Sequence, residues 1–313
     1  MKLNKKYSGV IVPTVTPLTA DHTLDHQAVE KMFENFSANR VMPFIIGTTG
    51  ESASLTVELK QDFIKQAARL KKADTVLYAG IASNVFEESV QLAKFAFDNG
   101  VDVVAANLPS YYALSNDQIK MYFEQLANAV PGPLIIYNIP ATTHMSIPLE
   151  LIDELSYHPN IVGTKDSERS EERLQQSLAL WAGREDFCHF LGWAAKSADA
   201  LIGGSDGLIP STGNLHPGIY NEMVQAVAAG DHAKAYEMQR LSDVLGDLYQ
   251  KGRTLGQSLW ALKVLMREAG LCQPNVMPPL QSMSADEEQA LLAAFTDIIN
   301  KEGLQLSQSL SHA

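Results

Sequence analysis

The sequence predicts a (β/α)8 barrel, a TIM barrel, followed by a helical C-terminal domain. Three observations predict it. Eight short β-rich runs alternate with helical patterns over the first two thirds of the 313 residues. Their successive starts lie roughly 20–35 residues apart, about what one strand, one helix and two loops require. Beyond Gly230 the β-rich runs stop and helical patterns take over. An open doubly wound sheet usually ends at about five or six strands, so eight favour closure.

The elements follow in order. Strands are expected at Gly9–Thr16, Pro43–Gly47, Thr75–Ile81, Asp102–Asn107, Leu134–Tyr137, Ile161–Lys165, Cys188–Gly192 and Gly207–Ser211. After Gly50-Glu51-Ser52, Thr56 is placed to cap a helix with Glu58 in its first turn, and Leu59, Phe63, Ala67 and Leu70 follow at helical spacing. Asn99-Gly100, Pro131-Gly132-Pro133 and His158-Pro159-Asn160 mark returns to strand. After Lys165, Ser167 or Ser170 caps a helix that opens with Glu171 and Glu172 and turns Leu174, Leu178 and Trp181 inward. The expected division is a catalytic barrel over 1–230 and a helical domain over 231–313. The latter holds helices at Ala233–Gln250, Gly256–Glu268 and Ala285–Asn300, a loop with Pro274, Pro278 and Pro279, and a frayed polar tail from Gln305.

Composition narrows the function classes. Apolar residues make up 46% and charged ones 19%, an ordinary globular balance. A formal charge of −12 argues against nucleic acid or an anionic membrane as partner, since both call for clustered Lys and Arg. The two cysteines, Cys188 and Cys272, have no CxxC companion, and the short apolar run near the N-terminus contains Pro13. The expectation is a reduced, cytoplasmic enzyme or binding protein.

A barrel places its active site at the C-terminal ends of the strands. Candidate groups should therefore follow the apolar runs. Thr48 and Thr49 end the second, Tyr111 and Tyr112 lie just past the fourth, Tyr137 ends the fifth and Lys165 ends the sixth. Each also has an ordinary reading: Gly47–Gly50 as a tight turn, the tyrosines as core residues with wet hydroxyls, Lys165 as a solvated strand end. Other chemistries lack their patterns. GxGxxG, GxxxxGK[ST] and HExxH are missing, the run Gly203-Gly204-Ser205-Asp206-Gly207 reads as a flexible turn before the eighth strand, and the eight histidines are scattered. What remains is amine chemistry at Lys165, which needs no metal and no organic cofactor. A lysine attacks a carbonyl as the neutral amine, and desolvation at a barrel mouth would lower its reference pKa of about 10.4. The iminium it forms with a 2-oxo acid is an electron sink. Tyr137 is the natural proton carrier, with Tyr111 and Thr48 as relays. Thr49 and the amides of the turn that begins at Gly47 can hold the carboxylate.

With these residues in place, the sequence resembles the dihydrodipicolinate synthase/N-acetylneuraminate lyase family of Schiff-base enzymes. The matching stretches are GTTGES at Gly47–Ser52, PSYY at Pro109–Tyr112, YNIP at Tyr137–Pro140, GTKDS at Gly163–Ser167 and GLIPSTGN at Gly207–Asn214. The resemblance implies a barrel with a C-terminal helical domain, usually in a homotetramer. It implies a Schiff base on Lys165, acid/base work by Tyr137, and relay and carboxylate roles for Thr48 and Thr49. It further implies that Tyr111 reaches a neighbouring subunit's site and that the backbone at Ile209 lies near the bound 2-oxo acid.

Two departures bear on substrate. The resemblance implies an arginine two residues beyond YNxP in the synthases, and here that place is Thr142. It implies acidic residues after the glycine ending the seventh strand in the sialic acid lyases, and here Trp193, Ala194 and Ala195 follow Gly192. Thr142, Thr143, His144 and Trp193 outline a smaller or less ionic pocket. The expected function is a Schiff-base aldolase or dehydratase for a 2-oxo acid, such as a 2-keto-3-deoxy sugar acid or a 4-hydroxy-2-oxoglutarate-like compound, with pyruvate as product or donor. The alternatives are dihydrodipicolinate synthase itself, condensing pyruvate with aspartate semialdehyde, and a non-catalytic binding barrel.

Overall fold

The computed structural model describes residues 5–304, so the expected tail from Gln305 lies outside the described residues. Eight parallel strands close in chain order: β1 (Gly9–Pro13), β2 (Met42–Ile45), β3 (Tyr78–Gly80), β4 (Val103–Ala106), β5 (Leu134–Asn138), β6 (Ile161–Asp166), β7 (Cys188–Leu191) and β8 (Gly207–Leu208), with β8 pairing back onto β1. The alternation of strand residues builds two cores. Ile11, Phe44, Tyr78, Val103, Ala105, Ile135, Phe190 and Ile209 pack inside the barrel, while Val10, Val12, Ile45, Ala79, Val104, Ile136 and Leu191 face the helices.

Several strands are shorter than their apolar runs. β1 ends at Pro13: the Thr14 amide still donates to Phe44 O of β2 at 2.9 Å, but the Val15 amide leaves the ladder for Asn214 Oδ1 at 3.0 Å. The expected start of β3 at Thr75 fails because the Leu77 amide is taken by the Asp102 carboxylate at 2.8 Å. β8 ends at Leu208, ahead of Pro210 and the 3₁₀ turn Ser211–Asn214. β2 ends because Ile46 turns left-handed, with φ at 58°. For a β-branched residue that conformation is strained by about 1–3 kcal/mol and persists only where its surroundings over-determine it. β5 and β6 run one residue further than expected, so Lys165 is followed in the ladder by Asp166, which pairs with Asn138 and Leu191.

One glycine makes the turn after β2 possible. A Cβ on Gly80 of β3 would lie 2.1 Å from the Ile46 carbonyl oxygen, so only a bare Cα lets the two backbones approach.

The helices begin where their caps stand. Thr56 accepts from the Leu59 amide at 3.2 Å and opens Val57–Leu70. Ser170, rather than Ser167, accepts from the Arg173 amide and opens Glu171–Trp181. Such a cap contributes about 1 kcal/mol. Within Glu171–Trp181, Leu174, Ser177 and Trp181 are buried, and Leu178 is half-buried against the same core. After Pro217–Ala228 come His232–Gln250, Leu255–Glu268 and Ala285–Glu302, the last two opening on complete capping boxes, Thr254 with Gln257 and Ser284 with Glu287. No helix among the described residues is long and apolar enough to cross a membrane.

Candidate active site

Strand register puts the central pair together. In a parallel ladder, residues directly opposite share a face, and Lys165 of β6 stands opposite Tyr137 of β5 and Phe190 of β7. A register shift sets this phase: Leu134 pairs with Ile161 but Ile135 pairs with Gly163, so Val162 is an extra residue. Ile161 therefore faces the helices while Lys165 faces the barrel axis. Lys165 Nζ lies 3.9 Å from the centroid of the Tyr137 ring and 5.0 Å from that of Phe44.

Burial lowers the pKa of Lys165, and the Tyr137 hydroxyl beside it works in the opposite sense. Aromatic faces favour the cation by about 0.5–2 kcal/mol, which is less than the several kcal/mol that desolvating an ammonium costs. Among the described residues no carboxylate stands within ion-pair distance of Nζ. The carboxylate next in sequence, Asp166, is turned to Arg173 Nε at 2.6 Å. Burial pushes the Asp166 carboxyl up, and Arg173 and the Glu168 amide pull against that shift. Asn138 Nδ2 donates to Asp166 Oδ1 at 3.1 Å and to Glu168 Oε2 at 3.0 Å, so the β5 and β6 ends are tied behind the lysine.

The turn after β2 supplies donors. The Gly50 amide donates to Gly47 O at 3.0 Å and the Glu51 amide to Thr48 O at 3.1 Å. No acceptor among the described residues takes the Thr48 and Thr49 amides, which leaves two N–H groups and the Thr49 hydroxyl for a carboxylate. Thr48 Oγ1 is 3.5 Å from Tyr137 Oη, the long limit of a hydrogen bond, of a kind that tightens when substrate is bound.

The rim residues differ in what they offer. Thr142 is half-buried with its hydroxyl 3.4 Å from Ile139 O, in the short helix Pro140–Thr143. Thr143, expected to line a pocket, is buried and donates to Ile139 O at 3.1 Å and Met145 O at 3.0 Å, so its hydroxyl is committed to the backbone. His144 is exposed. Trp193 is half-buried at the end of β7, with Lys196 Nζ 6.0 Å from its ring centroid. Ile209 lies in the inner core with its amide donating to Leu191 O at 2.8 Å. Tyr111 stands apart from the cluster: it is 79% exposed and packs edge-on against Tyr112, itself 73% exposed. Among the described residues no group of three His, Cys, Asp or Glu is placed to hold a metal ion.

A family model described as the dihydrodipicolinate synthetase family matches residues 6–298. The chain belongs to this family. The 4-hydroxy-tetrahydrodipicolinate synthase of Methanosarcina barkeri is 30% identical over 285 residues, 90% of this chain and 95% of the relative. The solved dihydrodipicolinate synthase of Bacteroides thetaiotaomicron is 28% identical and superposes with a TM-score of 0.88, covering 94% of this chain and 99% of that one. The chloride-inhibited dihydrodipicolinate synthase of Acinetobacter baumannii, solved in complex with pyruvate, is 26% identical with a TM-score of 0.84, covering 93% and 98%. Like other members of the dihydrodipicolinate synthetase family, the chain is a class I lyase that works by a pyruvate-type Schiff base on lysine, without an external cofactor. The binding-barrel alternative is thereby set aside.

Within this family member, several residues of the site escaped the sequence reading. Phe44 is half of the lysine's aromatic floor but reads as one more strand residue. Glu51 and Lys263 form a fully buried ion pair at 2.5 Å between the turn after β2 and the helix Leu255–Glu268. A signal for it existed: Lys263 is the one charge in the stretch LWALKVLM. Its partner, 212 positions away, had none.

Proposed function

We propose that this lyase cleaves a 2-oxo acid longer than pyruvate by a retro-aldol step, acting on a 2-keto-3-deoxy sugar acid or a 4-hydroxy-2-oxoglutarate-like compound, with pyruvate as one product. The observation that carries the substrate choice is Thr142. Its hydroxyl is engaged with Ile139 O where a synthase would present a guanidinium, so a second carboxylate finds no charge-assisted clamp there. Trp193, Ala194 and Ala195 likewise offer no carboxylates to a long polyol.

In this reading Lys165 is the nucleophile. Its neutral Nζ attacks C2, and the carbinolamine loses its hydroxyl as water, with Tyr137 and Thr48 delivering the proton. Tyr137 then accepts the proton of the C4 hydroxyl as the C3–C4 bond breaks. The electron pair of that bond enters the iminium to give an enamine, and the aldehyde leaves. Protonation at C3 and hydrolysis release pyruvate and return the amine. The Thr48 and Thr49 amides and the Thr49 hydroxyl hold the C1 carboxylate throughout, with Ile209 closing the inner side.

The assembly belongs to the same proposal. The exposure of Tyr111 and Tyr112 supports a homotetramer in which Tyr111 enters a neighbour's site. We place the boundary between a catalytic barrel and a helical domain near Gly230. Cys188 and Cys272 are buried, free thiols pushed up to about 12 by burial, in keeping with work in a reducing cytoplasm.

The deciding experiment is a substrate panel. Pyruvate release from several 4-hydroxy-2-oxo acids is measured beside condensation of pyruvate with aspartate semialdehyde. Retro-aldol turnover with little condensation is expected. Efficient condensation without retro-aldol turnover would establish the synthase instead.

A further inference from the structure

The turn that presents Thr48 and Thr49 is bracketed by two left-handed residues, Ile46 at φ 58° and Glu51 at φ 60°. Neither is glycine, and amide–carbonyl bonds within the turn, at 3.0, 3.1 and 3.3 Å, reach as far as the Ser52 amide. Strained residues persist only where their surroundings over-determine them, and contacts from outside the turn hold its ends as well. At the Ile46 end the close approach of Gly80 does so. At the Glu51 end both carboxylate oxygens are tied to the C-terminal region: Oε1 accepts from Lys263 Nζ at 2.5 Å and Oε2 from the Met277 amide at 2.6 Å. Lys263 Nζ also donates to Asn275 O at 2.6 Å, and Asn275 Nδ2 donates to Leu18 O at 2.9 Å, which fastens the same loop to the chain leaving β1.

Stability alone is a poor account of this arrangement. Both side chains are fully buried, and an apolar pair of similar volume is often as stable as a buried ion pair, because desolvation offsets the attraction. What the ion pair adds is geometry: a fixed distance between the helix Leu255–Glu268 and a residue two positions from Thr49.

We infer that Glu51 and Lys263 are positioning residues, a brace through which the C-terminal helices set the carboxylate-binding geometry of the Thr48–Thr49 turn. Neither group touches substrate. The brace acts through the direction of the two turn amides and the Thr49 hydroxyl. This inference rests on the reading of that turn as the carboxylate site.

The test uses the full-length protein and pyruvate as probe, with borohydride trapping of the adduct on Lys165 read by mass. The double variant Glu51→Gln/Lys263→Met removes both charges together and leaves neither stranded. It is expected to keep the parent's circular dichroism, to raise the pyruvate concentration for half-maximal trapping at least tenfold, and to keep the trapping plateau within about twofold, because the amine itself is untouched. Asn275→Ala loosens the far end of the brace without altering charge and should raise half-saturation by a smaller factor, about two- to fivefold. If the double variant does not fold, Asn275→Ala decides. Parent-like half-saturation in a folded variant, or a lost plateau with unchanged half-saturation, would overturn the inference while leaving the Schiff-base reading in place. A parent enzyme that traps no pyruvate on Lys165 would sink that reading and the brace with it.

Discussion

Replacing Gly80 by alanine adds one methyl group where the backbone after β2 passes closest to β3. The new Cβ would lie 2.1 Å from the Ile46 carbonyl oxygen and 2.9 Å from its carbon, whereas ordinary contact begins near 3.4 Å. One of the two backbones must yield by about 1.3 Å. β3 is held on its other side, Gly80 pairing with Ala105 and the Ile81 amide donating to Ala105 O at 3.0 Å. The movement therefore falls on Ile46 and Gly47, and through them on Thr48 and Thr49. Overpacking of this kind costs about 1–3 kcal/mol of stability. A displacement of about 1 Å among positioning groups costs roughly 100-fold in rate. Gly80→Ala should accordingly lower kcat/KM for pyruvate release by about two orders of magnitude. Saturating pyruvate with borohydride should still label Lys165. Gly132→Ala is the control: its Cβ would meet the Phe97 ring at 2.6 Å, far from the site, so stability should fall with kcat/KM near the parent's. A folded Gly80→Ala enzyme with parental kcat/KM would refute the claim that this close approach shapes the turn.

Three further outcomes follow from the same geometry. Lys165→Met should abolish the borohydride adduct and raise the melting temperature. Burial holds the folded-state pKa of Lys165 below 10.5, so the charge-burial penalty is complete below the folded pKa and is relieved as pH climbs toward 10.5; the variant's advantage should shrink across that window. Tyr137→Phe should reduce turnover by about 10²–10⁴ while trapping persists. Because the lost hydroxyl had raised the lysine's pKa, the acid limb of the trapping rate should move to lower pH, and a move upward would count against the pairing. Thr142→Arg should increase condensation of pyruvate with aspartate semialdehyde by roughly 10- to 100-fold, the worth of one charge-assisted clamp. No change would show that position 142 does not face the second substrate.

The barrel was legible because its signal is periodic and repeated: eight apolar runs, with helical patterns between most of them, agree with one another. Lys165, Tyr137 and Thr48, placed at strand ends by that reading, do lie together. The strand limits were less legible. Ile46 looks like the interior of a strand, and nothing local announces that it turns left-handed, since the room for that turn is made by Gly80 on another strand. The inward phase of Lys165 depends on one extra residue, Val162, which apolar counting passes over. Phe44 under the amine and Glu51 against Lys263 are meetings of distant segments, and only three-dimensional closure brings them about. Tyr111 illustrates a different limit, for a lone chain leaves its ring in solvent.

An amine resting on the Phe44 and Tyr137 rings and shifted toward its unprotonated form is also a selective target for reagents. Other lysines are shifted the opposite way or engaged: Lys196 is raised by its bond to Glu171, Lys120 by its bond to Glu154, and Lys263 Nζ is bonded to Glu51. Lys60, also lowered by burial, is the internal competitor. A small uncharged acylating agent at neutral pH should mark Lys165 and Lys60 ahead of the rest, and pyruvate should shield Lys165 alone. The burial that lowers this lysine's pKa thus gives the protein a chemical address, one that a covalent probe could read in a crude extract before any substrate is known.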